Sequence, residues 1–452
     1  MDNFTIQDVL TACGGVLYGS LDAATPVSDI TIDSRMISPG VLFVPIIGDK
    51  FDGHDFIAQA LDQGAIASLS DRALNEKRPY ILVKNTLEAF QAIAGAYRAQ
   101  FSIPFIGVTG SVGKTTTKEL IFSVLSQKYK TLKNLGNLNN QLGVPRTLLR
   151  LDSGHEAAII EMGTNHFGEI ESLARIVRPD VCVFTNIGDA HIEYLGSREG
   201  ILKANCEMLA YRSPDASIII NGDDALLCTL RDEYPNVISY GSDPSCDIYS
   251  DDIEELGLEG SKFTAHFGGQ TLAVTVPAPG SFMIQRALCA IAVGLALEVP
   301  ANKITEGISL YAPVSGRMTI EKTTRYTLLN DAYNASPTSV AASIDVAVRA
   351  EGRHVLILGD MFELGKDELH YHREIGEYAA GKKAELILCV GKLSKAIYEG
   401  ALSVGGNAVY FKDKKSLLAS LHTLLKPGDT ILVKASNGMK LQDVADYIKE
   451  NL

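Results

Sequence analysis

The sequence predicts an α/β protein of three domains, and two features of its 452 residues support this fold class. From about residue 101 onward, short apolar runs typical of buried parallel strands alternate with helical stretches. A glycine-rich segment at 107–117 joins one such strand to one such helix. We expect a small N-terminal α/β domain at 1–98, a central doubly wound P-loop domain at 99–313, and a C-terminal Rossmann-like domain with a parallel sheet at 314–452.

Residues 1–98 combine short strand-like runs with clusters of turn residues. The clearest apolar run is 41–47, and a helical pattern spans 86–100. Signals of this length are typical of a small α/β unit. We therefore expect this unit to precede the glycine-rich segment as a separate domain.

The middle of the chain carries a series of buried strand patterns. The apolar runs are 103–108, 157–161, 181–186 and 217–220, and a helix is predicted at about 115–127. Between about 246 and 276 the pattern changes to alternation, which is clearest at 263–267 and 272–276. This change predicts an antiparallel insertion.

A second series of strands follows residues 313–316, whose Pro-Val-Ser-Gly sequence is typical of a linker. The later strand patterns lie at 354–358, 385–390, 408–411 and 430–433. Because each is followed by a helical pattern, we expect a second parallel sheet.

Composition indicates an ordinary globular protein and excludes several functions. A net charge of −13 argues against a nucleic-acid or anionic-membrane partner, because both require a basic face. The first residues lack a signal-peptide pattern, and no apolar run is long enough to span a membrane, so we expect a cytosolic protein. The 7 cysteines include no C-x-x-C pair, which indicates neither disulfides nor a zinc site.

The segment 107–117, with the sequence GVTGSVGKTTT, is typical of a phosphate-binding loop. Its glycines let the backbone approach phosphate, and the amide groups at the start of the following helix point at the anion. Lys114 supplies a charge and Thr115 a hydroxyl that can bind a metal. The first glycine of the common pattern would fall at Val108, so this loop is a variant. The candidate nucleotide contacts are Gly110, Ser111, Gly113, Lys114, Thr115 and Thr116.

An acidic protein that binds ATP must place cations beside the triphosphate. Two like charges about 4 Å apart repel by about 4 kcal/mol at an effective dielectric constant of about 20. We therefore expect Mg²⁺ and a few basic side chains at the loop.

Polar residues follow the next two strand patterns. Glu161 ends the run 157–161, and His191 follows the run 181–186. Because ligands of a doubly wound sheet bind beyond the carboxyl ends of its strands, Glu161, His191 and Thr115 are candidate Mg²⁺ ligands. Taken singly, Glu161 could cap the next helix and His191 could be an ordinary loop histidine.

These segments, with several others in the same order, resemble the Mur ligase family over nearly the whole chain. The matching segments are 33–35, Gly48, 52–56, 107–117, 136–140, 143–145, 161–170, 186–191, 316–318, 331–337 and 358–365, with His372. Several are specific to the family, and their order and spacing are hard to obtain by chance.

The resemblance implies ATP-dependent amide-bond formation in the synthesis of peptidoglycan precursors for the cell wall. It implies two small-molecule substrates, UDP-N-acetylmuramoyl-tripeptide and D-alanyl-D-alanine. The tripeptide carboxylate would attack the γ-phosphate of ATP, and the amine of D-alanyl-D-alanine would then displace phosphate from the acyl phosphate. ATP and Mg²⁺ are the implied cofactors, and we expect a monomer.

The resemblance also implies roles for individual residues. The implied catalytic residues are Lys114, Glu161 and His191, and the implied Mg²⁺ ligands are Thr115, Glu161 and His191. Further nucleotide contacts are implied for Asn137, Arg317, Asp331 and Asn334. The residues implied to hold the substrates are Ser34, Arg35, Asn139, Asn140, Asn165 and His166.

Several of these residues also fit simpler interpretations. The segment 33–35 could be a polar turn, the asparagines at 137–140 could be plain loop residues, and Arg317 could pair with a surface acid. Asp360 and Glu363 fit either the capping of a helix or amine binding.

Several positions depart from the family pattern. Asn205 stands where the family usually has a lysine that is carbamylated and bridges the magnesium ions. An asparagine amide cannot take up carbon dioxide, so we expect the second Mg²⁺ to be held more weakly or through water. Phe282 and Arg286 replace residues usual at the adenine contacts, and Asn437 is not assigned to the site.

Two other functions stay open on the sequence. The departures would suit a nucleotide-binding regulatory or scaffold protein that has lost turnover. A folylpolyglutamate-synthase-like ligase would share the central loop, although the N-terminal domain and the segment around Asn334 disfavour it.

Overall fold

A computed structural model describes residues 1–48 and 50–452. The chain packs as two compact units. Unit 1 comprises Met1–Val108, Tyr129–Cys182 and Cys206–Ala216, and unit 2 comprises Thr109–Lys128, Val183–Asn205 and Ser217–Leu452. Among the described residues, no helix combines the length and apolar character needed to cross a bilayer.

The N-terminal part of unit 1 contains a five-stranded sheet, a separate two-stranded hairpin and three α-helices. The strands are β1 (Val16–Tyr18), β2 (Asp29–Thr31), β3 (Val41–Phe43), β4 (Ile47–Gly48), β5 (Phe51–Asp52), β6 (Ala67–Ser70) and β7 (Tyr80–Leu82). The helices are α1 (Ile6–Cys13), α2 (Ile57–Asp62) and α3 (Thr86–Arg98). The sheet has the order β1-β7-β6-β3-β2, with β1 antiparallel to β7, while β4 and β5 form a separate hairpin.

The predicted strand at 41–47 is wrong as a single element. The structure ends β3 at Phe43 and begins β4 at Ile47. Pro45 lies between the two strands, and proline cannot donate a backbone hydrogen bond to a sheet. The predicted helix at 86–100 is confirmed as α3, which begins after Asn85 because the Asn85 side chain accepts from the Glu88 amide.

A nine-stranded sheet follows, and strands β8 and β11 each have residues in both units. Its strands are β8 (Phe105–Thr109), β9 (Thr131–Lys133), β10 (Ala157–Glu161), β11 (Val181–Phe184), β12 (Ser217–Asn221), β13 (Val237–Gly241), β14 (Ile248–Glu255), β15 (Ser261–Phe267) and β16 (Gln270–Val276). The order is β16-β15-β14-β13-β12-β11-β8-β10-β9. The antiparallel strands predicted at 246–276 are confirmed as β14 to β16, and they extend this sheet.

The helices of this region begin with α4, which starts within the phosphate-loop segment. They are α4 (Lys114–Leu125), α5 (Gly143–Leu148), α6 (Glu169–Val177), α7 (Ile192–Leu195), α8 (Arg198–Cys206), α9 (Ala225–Cys228), α10 (Leu230–Glu233), α11 (Ser281–Ala296) and α12 (Ala301–Ser309). In unit 2, α4 packs against α11 and α12. In unit 1, α3 packs against α5 and α6.

The C-terminal part of unit 2 is a six-stranded sheet with five helices. The strands are β17 (Thr319–Lys322), β18 (Thr327–Asn330), β19 (Arg353–Gly359), β20 (Leu386–Val390), β21 (Ala408–Phe411) and β22 (Asp429–Lys434). The helices are α13 (Pro337–Ala347), α14 (Glu368–Gly381), α15 (Lys395–Ser403), α16 (Lys414–Leu424) and α17 (Gln442–Asn451).

The order of this sheet is β17-β18-β22-β19-β20-β21. The predicted parallel sheet is confirmed for five strands, whereas the edge strand β17 is antiparallel to β18. The central strands β19 and β20 contribute buried side chains to two hydrophobic clusters, because successive residues of a strand face opposite sides.

Helices α14 and α15 approach each other closely at two glycines. A Cβ added to Gly376 would overlap the carbonyl oxygen of Ile397, and one added to Gly400 would overlap the carbonyl oxygen of Arg373. Gly381 ends α14, and an added Cβ there would meet nothing within 4 Å.

We predict opposite effects for two glycine substitutions on α14. Gly376→Ala is expected to lower the free energy of unfolding by about 1–3 kcal/mol, because extra volume would force the two helices apart. Gly381→Ala is the matched control and is expected to change stability by less than about 1 kcal/mol, in the stabilising direction. Denaturant unfolding of both variants measures the difference, and equal midpoints would contradict the close packing.

Candidate active site

The phosphate-loop segment lies in the turn between β8 and α4. Gly110 and Gly113 have φ of +131° and +87°, a backbone conformation that favours glycine. Helix α4 begins at Lys114 with no side chain capping its first turn. Amide groups at the start of a helix can bind an anion.

The loop is held by the segment that follows β11. The Ser111 amide donates to the Asn186 carbonyl at 2.9 Å, and the Val112 amide donates to Asn186 Oδ1 at 2.9 Å. Thr185 Oγ1 donates to the Val112 carbonyl at 2.8 Å, and the Gly188 amide donates to Ser111 Oγ at 2.9 Å. The residue that sequence reasoning missed here is Asn186, although it lies within a segment that matches the family.

Two side chains of the loop already have protein partners. Lys114 Nζ donates to the Gly110 carbonyl at 2.5 Å and to the Ser111 carbonyl at 3.2 Å. Arg317 Nη2 donates to Thr115 Oγ1 at 3.1 Å, and its guanidinium lies 3.9 Å from the centroid of the Tyr333 ring. The structure therefore brings Arg317 to the loop within unit 2, and Tyr333 supports it there.

Asp331 is the acid at the centre of a second cluster in unit 2. Its Oδ2 accepts from Lys434 Nζ at 2.5 Å and from Ser343 Oγ at 2.6 Å, and its Oδ1 accepts from the Met318 amide at 3.0 Å. Lys434 Nζ also donates to the Asn334 carbonyl at 3.1 Å. Burial lowers the pKa of Lys434, and Asp331 opposes that shift. Sequence reasoning missed Lys434, whose only signal was its place at the end of a strand.

Glu161 lies at the end of β10 in unit 1, where its side chain is 1% exposed. Its Oε1 accepts from Asn139 Nδ2 at 2.8 Å. Asn134, which was also missed, accepts from the Glu161 amide at 2.6 Å and donates to the Glu161 carbonyl at 3.2 Å. Two asparagines that follow the neighbouring strand β9 therefore hold Glu161: Asn139 binds its carboxylate and Asn134 binds its backbone.

The other predicted residues after β9 and β10 have more exposed positions. Asn137 is exposed, and Asn140 uses its Oδ1 to accept from the Leu142 and Gly143 amides at the start of α5. Asn165 and His166 are exposed, and their amides donate to Glu169 Oε2 at 2.7 and 3.1 Å. The backbone of this pair is anchored by these hydrogen bonds within the loop, and His166 Nδ1 also lies 4.0 Å from Glu169 Oε1.

His191 and Glu363 form a contact within unit 2. His191 Nδ1 lies against Glu363 Oε2, and both residues have positive φ, +62° and +64°. Asp360, by contrast, is 4% exposed and accepts from the Lys392 and Ser394 amides at 3.0 and 2.7 Å. Asp360 therefore organises the turn after β20, whereas the Glu363 side chain reaches the predicted Mg²⁺ ligand His191.

In the N-terminal part of unit 1, the segment 33–35 forms an internal ion pair. Arg35 donates from Nε and Nη2 to the two carboxylate oxygens of Asp33, at 2.8 and 2.7 Å. This pairing lowers the pKa of Asp33 to about 2. The Arg35 side chain is 86% exposed and Ser34 is partly exposed, so both can meet a ligand.

Asn205 is buried within unit 2. Its side chain is 2% exposed, its Oδ1 accepts from Thr109 Oγ1 at 2.6 Å, and its Nδ2 donates to the Ile201 carbonyl at 2.7 Å. The amide thus ties α8 to the end of β8. The described residues include no group of three or more His, Cys, Asp or Glu side chains placed to hold a metal alone.

The donor chemistry nevertheless fits Mg²⁺ bound beside a nucleotide. Mg²⁺ prefers oxygen ligands, keeps several waters, and is usually held by one or two protein groups together with phosphate oxygens. The Thr115 hydroxyl and the Glu161 carboxylate are oxygen donors of this kind. Their assignment as ligands, like that of His191, stays a prediction.

Comparison with known proteins identifies the family. The models for the Mur ligase catalytic, middle and glutamate ligase domains match residues 26–98, 108–294 and 316–437. The UDP-N-acetylmuramoyl-tripeptide–D-alanyl-D-alanine ligase of Bacillus subtilis (strain 168) is 36% identical, over 99% of this chain and 98% of the relative.

Solved structures agree with the sequence comparison. MurF from Acinetobacter baumannii is 30% identical with a TM-score of 0.93, covering 99% of each chain. MurF from Thermotoga maritima, solved in complex with ADP, is 27% identical with a TM-score of 0.85, covering 95% of this chain and 99% of that one. The three-domain α/β fold class is confirmed, and the chain belongs to the Mur ligase family.

Proposed function

We propose that this chain is an ATP-dependent ligase that joins D-alanyl-D-alanine to UDP-N-acetylmuramoyl-tripeptide. The similarity to ligases of that name over nearly the full length of both chains carries the substrate assignment. The phosphate loop, with Lys114 at the start of α4 and Arg317 at Thr115, supports the use of ATP. We place this step in the synthesis of peptidoglycan precursors. The cytosolic location and the monomeric state stay predictions.

Each of the three predicted domains would bind a different substrate, in sequence order. Residues 1–98 would bind the UDP end of the acceptor, where Ser34 and Arg35 are accessible. Residues 99–313 would bind ATP, and residues 314–452 would supply Arg317 and Asp331 and bind the amine substrate. Glu363 is a better candidate than Asp360 for the amine, because backbone amides already occupy both oxygens of the Asp360 carboxylate.

The proposed reaction has two steps. A carboxylate oxygen of the tripeptide attacks the γ-phosphorus of ATP, which forms an acyl phosphate and releases ADP. The amine of D-alanyl-D-alanine then adds to the acyl carbon, loses a proton, and expels inorganic phosphate from the tetrahedral intermediate. Mg²⁺ supplies charge neutralisation at the phosphate oxygens when it is bound.

Lys114 and Arg317 would stabilise the charge that develops during the transfer. The Lys114 ammonium must exchange its loop carbonyls for phosphate oxygens, and both partners lie within the same turn. Arg317 is held by its Tyr333 stack and presents nitrogen donors at Thr115. Fixed cations of this kind lower a barrier because they do not reorganise during the reaction.

We predict that Lys114→Ala lowers kcat by about 100- to 1000-fold or more, because a charged group aimed at the transferring phosphoryl is lost. Phosphate release is measured with ATP, the UDP-linked tripeptide and D-alanyl-D-alanine, and with each omitted in turn. Lys262→Ala removes a lysine that is 54% exposed and is the matched control. Two outcomes would contradict the proposed ligase activity and favour a regulatory nucleotide-binding protein. One is phosphate release that needs neither the tripeptide nor D-alanyl-D-alanine, and the other is no phosphate release by a folded wild type that binds ADP.

We predict that the wild type needs more Mg²⁺ than Asn205→Lys, because only a lysine can be carbamylated to give an additional anionic ligand. The activity of both is measured against Mg²⁺ concentration, with and without bicarbonate. Asn205→Leu is the control, since it removes the hydrogen bonds to Thr109 and Ile201 without adding an amine. Identical Mg²⁺ curves for the wild type and Asn205→Lys would remove this interpretation of Asn205.

A further inference from the structure

Arg286 lies against the phosphate loop within unit 2. Its guanidinium carbon is 4.4 Å from the centroid of the Phe282 ring, and its Nη1 is 3.5 Å from Met283 Sδ. Phe282 and Met283 precede it by four and three residues on α11, so the side chain is directed toward the N-terminal end of that helix. The ring supports one face of the planar guanidinium and holds its orientation.

The guanidinium occupies the space beside Gly113. A Cβ added to Gly113 would lie 2.8 Å from Arg286 Nε and 3.0 Å from Arg286 Nη2. Gly113 directly precedes Lys114, the first residue of α4. Two nitrogen donors of Arg286 therefore lie next to the amide groups that begin the phosphate-binding helix.

Among the residues that the structure describes, Arg286 forms no direct ion pair. Its Nη1 contacts the thioether sulfur of Met283, whereas Arg353 is paired through two hydrogen bonds with Asp429. Asp331 attracts Arg286 only at longer range, and that carboxylate already accepts from Lys434.

Arg286 also belongs to a group of like charges. Arg317 repels it, and Arg286 and Arg317 both repel Lys434. Burial lowers the pKa of Arg286 to about 10, so it stays protonated at neutral pH. Three cations with one acid, in a protein of net charge −13, form a local environment that favours an anionic ligand.

We propose that Arg286 is a binding residue for the phosphate chain of the nucleotide, held in position by Phe282. The inference rests on the proposed use of ATP and adds a contact that the sequence did not assign. A guanidinium in this place can donate two parallel hydrogen bonds to phosphate oxygens. It acts together with the α4 amide groups, Lys114 and Arg317. The affinity for ADP therefore depends on the positive charge of residue 286.

The test measures ADP binding by calorimetry, without turnover, at about 0.05 M and about 0.5 M salt. Arg286→Gln is expected to weaken ADP binding by about 10- to 100-fold at low salt, as expected for the loss of charged hydrogen bonds. The difference from the wild type should shrink at high salt because exposed parts of a charge interaction are screened. Arg286→Lys, which keeps the charge, should retain more affinity than Arg286→Gln.

Arg349→Gln is the matched control. It makes the same change in net charge at a surface arginine paired with Glu255, and ADP affinity should not change. Wild-type affinity in Arg286→Gln would overturn the proposal. An equal loss at both salt concentrations would also overturn it, because it would indicate stacking on the base. If the wild type did not bind ADP, the proposed function would fail, and this inference with it.

Discussion

The backbone of the phosphate loop is braced by a neighbouring loop, and the candidate nucleotide contacts depend on this bracing. Asn186 holds two successive amides of the loop, one through its carbonyl and one through its side chain. At Gly110, an added Cβ would lie 3.1 Å from the Asn186 amide and would overlap the Thr185 hydroxyl. The loop and its brace therefore fit together only without a side chain at 110, four residues before Lys114, the first residue of α4.

Electrostatics explains how a strongly acidic chain can hold a polyphosphate. The net charge of −13 is spread over the molecule, whereas Arg286, Arg317 and Lys434 are grouped around Asp331. Asp331 offsets part of the repulsion among these cations. It also accepts a hydrogen bond from the amide of Met318, the residue that follows Arg317 in sequence. An acid that is implied to contact the nucleotide thus also organises the cations of the site.

Several residues of the family-like segments have structural tasks that their position in a motif does not reveal. The Asn140 side chain caps the start of α5, and the Asp360 carboxylate organises the turn after β20. Asn205 ties a helix to a strand where the family usually carries a charged ligand. The polar residues of a shared motif therefore include both candidate ligand-binding residues and residues that hold the local structure in place. Only their hydrogen-bond partners distinguish the two kinds.

The local pattern of the chain determined the fold class, most strands of both parallel sheets, the phosphate loop and the family. These features depend on residue periodicity and on glycine geometry, which act over a few residues. Where a strand prediction was wrong, at 41–47, a proline interrupted an otherwise apolar run.

Tertiary structure decided the partners of the polar side chains. Asn134 beside Glu161, Lys434 beside Asp331, and Arg286 beside Gly113 are separated by 27, 103 and 173 positions in the sequence. A hydrogen bond or an ion pair depends on distance and direction in space, and no local pattern encodes a contact across such a separation. The sequence by itself therefore predicted what the loop binds, and folding determined which side chains surround it.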